Sequence, residues 1–175
     1  MSAPPIPQFV ATSRRLARLV HATANRAALG GLHSGMDREA VLSQMGTQVR
    51  TGSSGYFTNL VLRNPHAELY LSNPVGTSLS VLLYLTDPEN LDDEWEFRNF
   101  TPVLLRSGRL AGRGWGSLKT LLQRSGPFKL SEPMPSPEAE RIGKTFSQEI
   151  QRLAQVRHQR LEDLLAREGG ASQFD

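Results

Sequence analysis

A chain of 175 residues with 38% hydrophobic and 21% charged side chains has the balance of a globular protein, one ordinary domain with extensions. It contains no cysteine, which excludes disulfides, thiolate metal sites, cysteine nucleophiles and lipid attachment to a cysteine, and its four histidines, His21, His33, His66 and His158, include no pair at a helical metal-ligand spacing. No apolar run approaches the ~20 residues that cross a bilayer, and the net charge of +3 is unevenly placed: residues 1–36 carry Arg14, Arg15, Arg18 and Arg26 and no acid, residues 37–135 balance ten bases against ten acids, and residues 136–175 hold six bases against seven acids.

The chain opens on a Pro-rich tail, MSAPPIPQ, after which the spacing predicts a helix over Phe9–Leu29. Leu16, Leu19, Val20, Ala24 and Ala27 recur at three- and four-residue steps, with Arg14, Arg15 and Arg18 on the opposite side, so the helix reads as amphipathic with an apolar face inward and a solvated cationic face outward. Such a face also suits anionic lipid, nucleic-acid phosphates or a targeting role. Gly30-Gly31 ends it. In Leu32–Val49, Asp37 is an N-cap, Val41, Leu42 and Met45 form an apolar stripe, and Gly46 closes a short helix in a backbone region that glycine favours.

Strand signals follow a Thr-Gly-Ser-Ser-Gly loop: Tyr56–Leu62, a break at Asn64-Pro65, Glu68–Leu71, a turn at Asn73-Pro-Val-Gly76, and an alternating run Ser78–Thr86 that reads as a half-buried central strand with Leu79, Val81, Leu83 and Leu85 inward. Asp87–Glu94 is an acidic loop whose spacing misses that of a calcium loop. In Phe100–Leu122 two apolar arms flank Ser107-Gly108, a hairpin whose return arm, Gly112-Arg-Gly-Trp-Gly116, leaves one face bare of side chains for Trp115 to cover; Trp95 is expected on the same sheet. The glycines do not open a helix in the manner of a phosphate loop, and His66 with Glu68 has no third group to make an acid–base site. After a Pro-rich linker over 127–137, a helix is predicted over 138–169, with Ile142, Phe146, Ile150, Leu153, Leu161, Leu164 and Leu165 on one stripe.

The segments Gly35-Met36-Asp37 with Val41, Leu42 and Gly46, then NPHAE at 64–68, VLLYLTD at 81–87, FTPVLLRSGRL at 100–110 and GRGW at 112–115 resemble, in order, those of the BamE-like (SmpA/OmlA-type) family of small bacterial envelope proteins. The resemblance covers residues 33–122. It implies an α+β domain in which a helix pair packs on an antiparallel meander, with a role in partner binding or assembly and no catalytic residues. It also implies the bacterial envelope, whereas the sequence as written, with no signal peptide and no lipobox cysteine, reads as cytoplasmic.

The sequence-based expectation is therefore an α+β BamE-like domain over 32–126 and a long amphipathic C-terminal helix, together acting as a non-enzymatic interaction module without cofactor or metal. Partner contacts are assigned to Arg14, Arg15, Arg18, Ile150, Leu153, Leu161 and Leu164, with a protein partner or self-association through the C-terminal helix and peripheral membrane contact as a further option. The alternative is a nucleic-acid-binding protein using the basic helix and the Arg109–Trp115 strand, where Arg109, Arg113 and Trp115 interleave bases and an aromatic.

Overall fold

The computed structural model describes residues 9–53, 59–88, 97–125 and 128–133, with 144–145, 148, 152 and 162–167 beyond them. They form an α+β fold: α1 (Phe9–Leu29), α2 (Arg38–Met45), β1 (Arg50–Ser53), β2 (Asn59–Leu62), β3 (Ala67–Ser72), β4 (Ser78–Leu85), β5 (Phe100–Arg106), β6 (Arg109–Arg113), α3 (Trp115–Arg124) and β7 (Lys129–Pro133). The main sheet is antiparallel in the order β6-β5-β4-β3-β7, a meander of four strands with β7 returning to the β3 edge; β1 and β2 make a separate antiparallel pair.

Local chemistry explains most boundaries. The Asp37 carboxylate accepts from the Ala40 amide at 2.8 Å to cap α2, and Gly46 ends that helix at φ 80°. Asn73 closes the β3–β4 turn by accepting the Thr77 amide at 2.7 Å through its side chain. Ser107 and Gly108, at φ 51° and 78°, join β5 to β6 in the two-residue turn whose twist matches a hairpin. The outer edge of β6 is not bare, since the Leu110 amide donates to the Met36 carbonyl at 2.8 Å and the Gly35 amide to the Leu110 carbonyl at 3.1 Å.

The sheet buries both faces. On one, Leu69, Leu71, Leu79, Val81, Leu83, Leu85, Phe100 and Leu104 meet Leu60 and Leu62 of β2, Ala22 of α1, and Leu118 and Leu122 of α3. On the other, Leu82, Tyr84, Val103, Leu105 and Leu110 meet Val41 and Met45 of α2 and Leu32. The central strand β4 is consequently covered on both sides rather than half-buried, with Tyr84 and Thr86 inside. Neighbours that only the chain's return can supply, α2 and the end of α1, cover that second face.

The glycine-rich arm also differs from its expected course. β6 stops at Arg113, Gly114 turns at φ 89°, and Trp115 is the first residue of α3 rather than a strand residue. Gly112 does make room for a close neighbour, but the neighbour is the first turn of α3: a Cβ there would lie 3.1 Å from Cβ of Ser117. Trp115 is half-buried against the core, its indole N–H donating to the Phe100 carbonyl at 2.8 Å. Trp115→Ala is expected to cost about 2–3 kcal/mol, less than a fully buried large aromatic because part of the ring is already in water. An unchanged urea midpoint would refute this anchoring. Trp95 lies outside the described residues. So does most of the helix predicted over 138–169; the described part of it, 144–145, 148, 152 and 162–167, is helical and exposed.

Candidate partner-docking surface

Helix α1 has the predicted limits and the predicted periodicity, with the opposite side turned inward. Arg18 is 4% exposed, His21 3%, Ala22 0% and Asn25 1%, and Arg14 and Ala17 are half-buried. Leu16, Leu19 and Val20 are 55%, 46% and 42% exposed, and Ala24 and Ala27 face out with them. The solvated-arginine reading thus holds for Arg15 alone of the three partner arginines.

The cause is what lies beneath the helix. α1 passes the end of β4, where backbone groups have no further strand to pair with, and polar side chains satisfy them there. The Asn25 amide donates to the Leu85 carbonyl at 2.8 Å. The Asn64 amide in turn donates to the Asn25 side-chain oxygen at 2.9 Å and to the carbonyls of Met45 and Gly46 at 3.0 and 2.9 Å, tying α1, the β2–β3 connection and the end of α2 together. Farther along α1, Ala28 and Leu29 join the α2-side core, and the Ala28 carbonyl accepts from Gln44 of α2 at 3.1 Å.

Turned this way, α1 presents its leucines to solvent beside β1. A groove of about 370 Å³ runs there, lined by Leu16, Ala17, Val20, Arg50 and Thr51. Thr51 is paired with Val61, itself 44% exposed, and Val49 just before β1 is 57% exposed, so the apolar surface continues across the β1–β2 pair. Exposed apolar side chains at neighbouring positions mark an interaction site more often than scattered ones do. Single cysteines test this orientation in a chain that has none of its own: Leu19→Cys should react with a water-soluble maleimide at close to the rate of a free thiol, and Ala22→Cys should be protected by about a hundredfold or more. Equal reactivity would show that α1 does not pack as described.

The remaining partner residues fall as follows. Leu164 is 52% and Leu165 65% exposed, while Ile150, Leu153 and Leu161 lie outside the described residues. On β6, the exposed Arg109 guanidinium donates to the Gly35 carbonyl at 3.1 Å and the exposed Arg113 guanidinium to the Leu29 carbonyl, so each cation holds backbone of its own chain.

Two polar groupings in the interior had no signal in the sequence. Arg38 of α2 donates to both carboxylate oxygens of Glu68 on β3, a residue 2% exposed, with Tyr70 and Tyr84 beside the pair. Burial raises the Tyr84 hydroxyl well above its ordinary range, and the Glu68 charge adds to the effect. On the other side, His66 packs on Phe100 with ring centres 4.7 Å apart. Burial, reinforced by His21, lowers its pKa to about 4; His21 is lowered as well, by burial and then by the Arg50 charge. Both groupings hold elements together: the ion pair seats α2 on the sheet, and the histidines seat α1 and the β2–β3 connection.

Among the described residues no three His, Cys, Asp or Glu side chains are placed to hold a metal ion, and no helix is long and apolar enough to cross a membrane. No family model, curated protein or solved structure matches the chain.

Proposed function

We propose that this protein is a non-enzymatic interaction and assembly module that associates with a second copy of itself through the outward face of α1. One observation carries the reading: α1 turns Arg18, His21 and Asn25 inward and Leu16, Leu19 and Val20 to water. Leaving three large apolar side chains half in water forfeits roughly 0.7–1.5 kcal/mol each relative to full burial, a drive toward association that a second surface satisfies. The long amphipathic helix proposed over 138–169 belongs to this reading, as does the resemblance to BamE-like proteins, whose implied role is assembly.

Sedimentation equilibrium tests it. The full chain is expected as a dimer or larger, and the Leu16→Asp/Leu19→Asp variant as a monomer with an unchanged circular dichroism spectrum, because both positions lie on the solvent side of the helix. A monomeric wild-type chain at concentrations of about 100 μM would overturn self-association, since a contact weaker than this contributes under about 5.5 kcal/mol. Any truncation of the C-terminal region should be made after Pro133, as Ser131 lies within β7 and an earlier cut removes part of the sheet.

A further inference from the structure

We infer that the occupant of the groove between α1 and β1 is the apolar face of residues 162–167 of the second copy. This inference rests on the self-association reading and specifies its geometry. Three observations support it. First, the described residues contain two unpartnered helical faces with large apolar side chains, Leu16, Leu19 and Val20 on α1 and Leu164 with Leu165 near the C-terminus. Each is the kind of surface that the other needs, and each occurs once per chain, so mutual burial leaves neither exposed. Second, both faces are exposed within a single chain at the same time, so neither is covered by the other and both remain open to a second copy.

Third, charge selects this pairing over the symmetrical alternative. α1 carries Arg14, Arg15, Arg18 and Arg26 and no acid, and Arg50 lines the groove beside it. Two copies of α1 laid face to face would set Arg15 and Arg26 of one against those of the other, with no carboxylate on either helix to neutralise them. The C-terminal segment has the opposite character at its start: Glu162 and Asp163 immediately precede Leu164 and Leu165, and with Arg167 at its end the segment still carries one more acid than base. Seating the two leucines against Leu16, Leu19 and Val20 brings this acidic start toward Arg50, which lines the groove. Rim charges of this kind set the orientation and the encounter rate more than the affinity. With one donor face and one acceptor face per chain, a dimer closes when the two contacts are reciprocal, each chain giving its C-terminal segment to the groove of the other.

Because the chain has no cysteine, disulfide trapping reads the contact directly. Leu19→Cys and Leu164→Cys chains are prepared separately, mixed in equal amounts and oxidised, and the products are resolved by mass spectrometry. The expected product is the mixed dimer joined through positions 19 and 164, in clear excess over either homodimer. Glu162→Arg with Asp163→Arg should weaken dimerisation of the full chain by about tenfold, with the loss shrinking at high salt. A dominant 19-to-19 dimer would overturn the inference while leaving self-association standing. So would an intrachain link at all dilutions in the chain bearing both substitutions, which would assign the groove to the chain's own segment. Monomers both in trapping and in sedimentation would overturn the self-association reading itself.

Discussion

Replacing Arg38 with methionine is expected to destabilise the fold by about 3–5 kcal/mol, and replacing its partner Glu68 with glutamine by only about 1–2 kcal/mol. The asymmetry follows from where the two charges sit. The Glu68 side chain is 3% exposed and the Arg38 side chain 38%. Without the guanidinium a carboxylate remains in the interior, where the Tyr70 hydroxyl is left to serve it; solvating a charge there is far costlier than in water. Without the carboxylate the guanidinium, already more than a third in solvent, swings outward on a flexible stem. The intact pair need not be worth this much, since desolvation offsets most of its attraction. What it supplies is placement: α2 is only eight residues long, and a two-point fork from its first residue to β3 fixes it on the sheet face that Val41 and Met45 cover. Urea denaturation of the two variants measures the difference. Equal losses, or a larger one for Glu68→Gln, would show that the burial of the pair has been misread.

Acidification should destabilise the fold through its histidines. The His66 pKa falls from 6.5 to about 4 in the folded chain, first because burial penalises the imidazolium and then because His21 lies close by. The folded state therefore keeps the ring neutral at a pH where the unfolded chain has already bound a proton. The stability this neutral ring allows is complete above pH 6.5, declines as pH falls below it, and is lost by about pH 4. The whole interval corresponds to about 3 kcal/mol, of which about 2 kcal/mol is lost by roughly pH 5. His21 acts in the same direction, its pKa also being lowered. His66→Gln should reduce the stability measured at neutral pH, through lost packing on Phe100, and flatten the decline between about pH 6.5 and 5. A decline of the same steepness in that variant would assign the acid sensitivity elsewhere.

How far the sequence reaches is clearest where local and distant causes meet in one element. The limits of α1, the Asp37 cap, the Gly46 stop, the Asn73–Gly76 turn and the Ser107-Gly108 hairpin were all legible, because each depends on backbone conformations and hydrogen bonds within a few residues. The resemblance to a known family and the interaction role carried by it remain part of the proposal. Glu68 reads as an ordinary strand residue until the fold brings Arg38 to it from 30 positions away.

The candidate surface was hidden for the same reason. Periodicity identified both stripes of α1, one of Leu16, Leu19, Val20, Ala24 and Ala27 and one of Arg14, Arg15 and Arg18, and ordinary partition placed the leucines inside; that His21 and Asn25 share the buried side is visible only in the structure. Which stripe faces inward was decided by the open Leu85 carbonyl at the end of β4 and by Asn64, reached from 60 and 39 positions away. Local propensity determines that a segment is a helix, because its hydrogen bonds close within the segment. Tertiary structure determines which way that helix faces, because the free energy of burying a side chain depends on the groups opposite it, and in this chain those groups are polar.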